Sequence, residues 1–507
     1  MILDDLDRHA RERPGERAVV EISADGSVRE LTWAALKNES DRVAAALLRL
    51  AVRPGEPVAF QLPNRLEFVT IALGTLRAGA VCEPLMPIFR ERELEFMLRE
   101  SAARVLFVPD VFRGRDHAAM ATALQETLPT LEHVIVLGGA GAGTPESPGA
   151  GFPVVTPDRH AQLLFTSGTS GEPKGALHRH DVLMRAADHH IEHFGLGGGD
   201  VIYIPSPLAH QTGFLYGMWI ALRLGVPQVL QEVWDAEVGL EAMRRFGVTF
   251  VQAATPFLAD LTQVAEERGE TPERLETFVA TGAAIPRELA RRSREVLGAE
   301  VGGAWGTTES CLGCAFAPGD PPELAWGSDG RALAGVRLRI TDGDGRTLAT
   351  GEEGNFEVHT DCLFEGYLNR PELTAEAVTS DGWYRTGDLA RIDAHGYVRI
   401  TGRVKDVINR GGEKVPVAEI EQLLHAHAAV RDVAIVAMPD ERLGERACAF
   451  VVGDLDFETM LDYLDSARVA KTYWPERLEL VDSLPRTPSG KIQKFILRAQ
   501  ARELVTT

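Results

Sequence analysis

Cysteine is scarce in this chain. There are five in 507 residues, odd in number and widely scattered, which excludes a disulfide framework and points to a reducing, cytoplasmic setting. Cys311 and Cys314 form a C-x-x-C pair, but no second ligand pair stands at a zinc-site spacing, so both read as small buried residues. Excess positive charge is missing too. Lys and Arg number 53 against 74 Asp and Glu, a net charge of −21 that leaves no overall positive field to draw in a nucleic-acid backbone. Long apolar runs are also lacking: the stretch from Val201 to Leu222 is uncharged, but Pro205, Pro207, His210 and Gln211 interrupt it. It reads as strand, loop and helix rather than a membrane span. The N-terminus has no basic segment followed by an apolar core, so no secretory signal is expected.

What is present is an α/β rhythm. A helix over Trp33 to Leu50, a strand over Val58 to Leu62 and a helix over Glu67 to Ala78 open one block, and such alternation predicts layered helices on a sheet. A glycine- and proline-rich loop from Gly138 to Gly151 separates it from a second block, with apolar runs at Val226–Leu230 and Val248–Val251 around a helix over Ala236 to Phe246. Between Leu333 and Ile400 the texture changes to short strands split by Asp342-Gly343, Asp344-Gly345, Asp381-Gly382 and His395-Gly396, the mark of a small antiparallel barrel or sheet. The last hundred or so residues mix helix and strand and are of a size to fold alone. The expected organisation is α/β: a large N-terminal domain over 1–404, made of two α/β sheet blocks and a β-barrel-like subdomain, then a small mobile α+β domain over 405–507.

Three segments carry chemistry. Leu164 to Gly175 feeds an apolar run into Thr166, Ser167, Gly168, Thr169, Ser170, Gly171 and Lys174, which clusters amide donors, hydroxyls and one ammonium for a polyphosphate. The Walker A spacing is absent. Trp305, Gly306, Thr307, Thr308 and Glu309 place an aromatic face, two hydroxyls and a carboxylate within five residues, enough to stack a base, touch a phosphate and hold Mg²⁺. Tyr384 to Asp388 ends on a carboxylate suited to the two hydroxyls of a ribose.

Together with Gly402–Asp406 and Pro485–Lys491, these ordered segments resemble the core motifs of the adenylate-forming superfamily, which includes acyl-CoA synthetases, firefly luciferase and nonribosomal-peptide adenylation domains. Pro84–Leu94 and Trp474–Glu479 resemble the cyclohexanecarboxylate and medium-chain acyl-CoA ligase branch. The resemblance implies an acid–thiol ligase that uses ATP and Mg²⁺ to make an acyl-adenylate, then passes the acyl group to CoA. Carried over position by position, Thr166 to Gly171 and Lys174 would cradle phosphates, Thr308 would approach the α-phosphate and Glu309 would hold the metal. Asp388 and Arg403 would bind the ribose. Trp305 would stack beside adenine, opposite Gly282, Ala283 and Ala284. Lys491 would bridge the reacting carboxylate and the α-phosphate. Lys405 matches a hinge, and Gly411, Gly412 and Glu413 match a thiol-entry channel. His210 resembles a gate between acyl and thiol sites, and the acid pocket is expected near His210, Gln211, Phe257, Gly282, Gly306 and Cys311.

The partners so implied are a small carboxylic acid and CoA, or a carrier protein acting in trans. Activation of nitrite to diazotise an aromatic amine is an alternative, and a nucleotide-binding protein without catalysis is disfavoured by the presence of Lys174, Glu309, Asp388, Arg403 and Lys491. The histidines His178, His180, His189, His190 and His193 include an i, i+4 pair, but the resemblance places histidines just after the phosphate loop, so no metal is expected there.

Overall fold

The computed structural model describes residues 1–138, 151–166, 173–282, 285–411, 413–440, 442–486 and 491–504. Ser167, Gly168, Thr169, Ser170, Gly171, Ala283, Ala284 and Gly412 lie outside the described residues, as does most of the glycine-rich loop after Gly138.

Local chemistry sets many helix ends. Thr32 accepts the Ala35 amide at 3.3 Å and starts the helix Trp33–Arg49. One carboxylate oxygen of Asp235 takes the amides of Glu237 and Val238 at 2.9 and 3.1 Å to start Ala236–Phe246, which ends at Gly247 with φ 64° in the left-handed region that glycine reaches freely. The helix Leu66–Arg77 packs on Trp33–Arg49 so closely that a Cβ at Gly74 would stand 2.6 Å from that of Val43.

Two large sheets form the first 330 or so residues. The nine-stranded sheet carries Ile202–Ile204, Phe250–Ala254, Thr277–Thr281 and Glu300–Thr307 as parallel neighbours. Their C-terminal ends deliver Ser206, Ala254, Thr281, Gly282 and Gly306 to one edge, the edge where open α/β sheets bind ligands. The seven-stranded sheet holds Pro57–Gln61, Val81–Leu85, Val105–Pro109 and His133–Leu137 in parallel, then the antiparallel pair His160–Thr166 and Lys174–Arg179. The short strand Gly366–Tyr367 closes its edge by pairing with Ala176 and Leu177. Trp33, Trp219, Phe60, Phe68 and Phe214 are buried in the main core.

The region expected to be a barrel or sheet is a four-stranded antiparallel sheet of Arg337–Thr341, Gly354–His359, Tyr384–Ile392 and Val398–Arg403. The segment from Val201 resolves as foreseen into strand, loop and helix, and its helix includes a π-helical stretch, Phe214–Trp219. Beyond it, Ile408–Arg410, Glu413–Val415, Val430–Asp440, Gly444–Gly453 and Arg477–Leu480 make a further sheet. Its helices Val417–His425 and Phe457–Ser466 cover a separate core containing Ile420, Val433, Val451 and Leu464. No helix among the described residues is long and apolar enough to cross a membrane.

One core residue carries a titration. Glu83, in the strand Val81–Leu85, is fully buried, and burial pushes its carboxyl from 4.5 up to about 8, against a smaller opposing effect of the Ser101 hydroxyl. A raised carboxyl pKa gives stability that is complete below pH 4.5 and is lost as pH climbs through 8, because the unfolded chain ionises first. Glu83→Gln is therefore expected to gain melting temperature relative to the parent between pH 5 and pH 9. A thermal-denaturation series giving a difference independent of pH would refute this.

Candidate active site

The strand ends and the C-terminal segment converge on a cleft lined by Ser206, Pro207, His210, Thr212, Ala254, Phe257, Thr281, Gly282 and Lys491. Lys491 reaches in from the C-terminal segment, its Cε 3.4 Å from where a Cβ at Gly282 would stand. Gly282 has φ 87°, so any other residue there would be strained. Burial and the nearby Arg403 guanidinium pull the Lys491 ammonium below its usual pKa, while Asp388 and Glu309 act in the opposite direction.

His210 caps a short helical turn: its Nδ1 accepts the Thr212 amide at 3.3 Å, which places the ring proton on Nε2. Burial and the charge of Lys491 bring its pKa down to about 3. At neutral pH the ring beside the lysine is therefore uncharged, a donor through Nε2 rather than a base.

Glu309 sits on a turn fastened by Thr307, whose Oγ1 accepts the Ser310 amide at 3.1 Å. The Glu309 carbonyl accepts the Phe364 amide at 2.7 Å, and the Tyr367 hydroxyl donates to its Oε1 at 2.8 Å. The Tyr384 hydroxyl also interacts with Thr307 and Glu309, and burial next to that carboxylate pushes both phenols well above their usual range. The Lys174 ammonium lies 5.0 Å from the Tyr367 ring centroid, so one tyrosine braces the phosphate-loop lysine and the carboxylate. A buried carboxylate held at one oxygen by a neutral phenol is a hard donor suited to Mg²⁺, which is commonly bound through one or two carboxylates plus substrate phosphates.

On the four-stranded sheet Asp388 stands in register with Arg403, and their side chains pair at 2.9 Å. The other Asp388 oxygen accepts the Trp305 indole N–H at 2.8 Å. The tryptophan at this position thus has a polar partner of its own, and its ring packs edge-on to Phe356 at 4.7 Å.

The structure therefore gathers Lys491, His210, Phe257 and Gly282 at one cleft and ties Glu309, Trp305, Asp388, Arg403 and Lys174 around it. Thr166 ends the strand His160–Thr166, opposite Lys174 in register. Thr308 is partly buried in the turn before Glu309. Gln211, Gly306 and Cys311 do not line the cleft, and Gly306 is packed so tightly that a Cβ would meet the Cys311 carbonyl oxygen at 2.5 Å. Lys405 lies in the turn Val404–Asp406, and it, Gly411 and Glu413 are exposed and away from the cleft. Ser206, Thr212, Ala254, Thr281 and Tyr367 were not singled out from sequence. A signal existed only for the first two, which flank the His210 segment.

Of the five histidines after the phosphate loop, His178, His180 and His190 are buried, with burial lowering their pKa values to about 4, 4 and 3. Among the described residues, His189 is the one that meets other metal-type donors: its Nδ1 is 3.7 Å from the Cys362 sulfur and 3.9 Å from Asp361 Oδ1. Those groups already satisfy one another, since the thiol donates to Asp361 at 3.4 Å and Arg185 pairs with the same carboxylate at 3.6 Å.

An invading lysine, a braced carboxylate and an Asp–Arg–Trp cluster at the strand ends make the arrangement of an adenylate-forming enzyme. The chain belongs to the AMP-binding enzyme family, matching it over residues 6–368 and matching the AMP-binding enzyme C-terminal domain over 419–491. It is 35% identical to a medium-chain fatty-acid–CoA ligase of Escherichia coli, over 98% of this chain and 90% of that protein. It is 30% identical to a 2,3-dihydroxybenzoate–AMP ligase of Bacillus subtilis, over 92% of this chain and 88% of that protein. Among solved structures, an anthranilate CoA ligase in complex with anthranoyl-AMP superposes with a TM-score of 0.91 at 26% identity, covering 100% of this chain and 98% of that one. ATP-bound MatB from Rhodopseudomonas palustris does so with 0.86 at 26%, covering 99% and 100%.

Proposed function

We propose that this enzyme activates a carboxylic acid with ATP as an acyl-adenylate, releasing pyrophosphate, and then transfers the acyl group to CoA with release of AMP. The observation that carries this reading is Lys491, buried in the same cleft as His210 and Gly282 and facing the charges of Asp388, Arg403 and Glu309.

A carboxylate is a poor acyl donor because its leaving group is oxide. Its oxygen attacks the α-phosphorus, the bond to the β-phosphate bridge breaks, and negative charge gathers on the transferring group. Preorganised cations answer that need better than a base does. In this reading Lys491 bridges acid and phosphate, and Lys174 and Thr166 flank the phosphate-binding loop. Asp388 with Arg403 is set for the ribose, and Trp305 lies beside the base site. Glu309 would hold Mg²⁺, which supplies charge neutralisation on the phosphates. In the second half the CoA sulfur bonds the acyl carbon, the bond from that carbon to the AMP oxygen breaks, and the thiol proton passes to solvent. In this reading His210, uncharged, gates the passage between acid and thiol.

The reading includes a division at Lys405, with residues 1–404 holding the acid and nucleotide and 405–507 turning to exchange Lys491 for Gly411, Gly412 and Glu413. The thiol is CoA, and a carrier-protein pantetheine acting in trans has the same reacting atoms. One relative at 35% identity is a salicyl-AMP ligase and salicyl-S-ArCP synthetase of Mycobacterium tuberculosis, over 98% of this chain and 89% of that one.

The test is pyrophosphate release over short, medium, alicyclic and aryl acids, each with and without CoA. Acid-dependent release and an acyl-CoA product are expected. Release with nitrite alone, in a parallel arm, would overturn the carboxylate as the activated group.

A further inference from the structure

Outside the cleft, an imidazole, a thiol and a carboxylate meet that the adenylation chemistry does not use. His189 comes from the helix His180–Phe194, and Asp361 and Cys362 from the loop after the strand Gly354–His359. The Cys362 sulfur is 3.7 Å from His189 Nδ1 and 3.4 Å from Asp361 Oδ1, and that nitrogen and oxygen are 3.9 Å apart. A tetrahedral zinc ion, with a Zn–S bond of about 2.3 Å and Zn–N or Zn–O bonds of about 2.0–2.1 Å, separates such donors by about 3.3–3.6 Å, so the three atoms stand within about half an ångström of one coordination face.

The donors are also held from behind. Arg185 grips Asp361 on its other side, donating to the backbone carbonyl at 3.1 Å and standing 3.6 Å from Oδ2, which turns Oδ1 to the histidine and the thiol. The Cys362 amide donates to Thr360 Oγ1 at 3.0 Å. Outer contacts of this kind orient metal ligands. Cys362 is buried while Asp361 is half exposed, so water reaches the group past the carboxylate. The helical neighbour His193 takes no part, since its Nε2 meets the Phe316 carbonyl at 2.8 Å. Burial above all pushes the Cys362 thiol above its usual range, and its proton rests on Asp361. A divalent cation replaces a proton shared in this way, because a coordinating thiol is deprotonated outright.

We propose that His189, Asp361 and Cys362 form a site for a zinc-type divalent cation, with water as the fourth ligand, separate from the Mg²⁺ carboxylate Glu309. Binding forms a metal–sulfur bond, breaks the Cys362 S–H bond and releases that proton to solvent, with no change of oxidation state. Imidazole and thiolate select such a cation over Mg²⁺, which takes oxygen ligands. The site ties a helix to a loop that serves the active site: two residues beyond Cys362, the Phe364 amide donates to the Glu309 carbonyl at 2.7 Å. An ion held here fastens the turn of Glu309 to the helix His180–Phe194.

The experiment is titration of the full chain with Co²⁺, a spectroscopic substitute for Zn²⁺, in excess Mg²⁺ so that Glu309 is not the site read. One equivalent is expected to bind with the strong visible absorption of tetrahedral cobalt and a near-ultraviolet thiolate-to-cobalt band. Zn²⁺ should displace it and raise the melting temperature of the parent more than that of Asp361→Asn, by binding the native state. Cys362→Ser should abolish the thiolate band. Asp361→Asn and His189→Ala, at less buried positions, should each weaken binding by about tenfold or more, the loss that follows even when an outer partner of a ligand is removed. Cys314→Ala should keep the band. A pale octahedral spectrum with no thiolate band, binding unmoved by all three ligand substitutions, or an equal rise in melting temperature in parent and Asp361→Asn would overturn the proposal. So would a band lost in Cys314→Ala and kept in Cys362→Ser.

Discussion

Lys491→Ala is expected to lower acid-dependent pyrophosphate release by about two to three orders of magnitude, the usual loss when one preorganised donor to a transition-state charge is removed. Conversion of a supplied acyl-adenylate to acyl-CoA should largely survive. The asymmetry follows from where the lysine comes from. It is delivered by the C-terminal segment into a cleft whose other walls are strand ends of the nine-stranded sheet and the loops and helices that follow them, so it serves only while that segment is docked. Gly282, with no side chain and φ 87°, leaves it the space. Burial lowers the ammonium's pKa, and bound phosphates would raise it again by opposite charge. Loss of the lysine leaves Glu309 with its tyrosines and the Asp388–Arg403 pair intact, so ATP affinity should fall far less than turnover. Equal loss of both half-reactions, with an unchanged melting temperature, would refute the role.

Much of this site was legible along the chain because its parts are local. The turn that presents Glu309 is fastened within Thr307–Ser310, and the Asp388–Arg403 pair follows from antiparallel register on one sheet. Helices such as Ala236–Phe246 were legible from an Asp at one end and a Gly at the other. What sequence spacing could not supply is contact made by long-range pairing. Tyr367 reaches Glu309 because a two-residue strand pairs with Ala176. The Trp305 indole finds Asp388 across 83 positions, and Gln252 meets His190 across 62.

Lys405→Pro is expected to separate the half-reactions in the other direction, sparing adenylation and lowering thioester formation by about a hundredfold, the scale of loss when a reacting group is misplaced by an ångström or more. The residues on either side of Lys405 are anchored to different bodies. Arg403 pairs with Asp388 of the four-stranded sheet at 2.9 Å, while Asp406 pairs with Arg498 on the C-terminal helix Lys494–Glu503. A turn of the small body against the large one must therefore be absorbed by backbone dihedrals between those anchors. The turn Val404–Asp406 is 3₁₀, whose φ is close to the value proline imposes, and proline is tolerated in a first helical turn. The substitution thus holds the chain in the pose seen here, with Lys491 in the cleft. Lys405→Ala, which leaves φ free, should show the same direction with a smaller effect. Single-turnover measurement of each half-reaction decides the matter: unchanged kinetics in the proline variant, or equal loss in both steps without a fall in melting temperature, would remove Lys405 as the pivot.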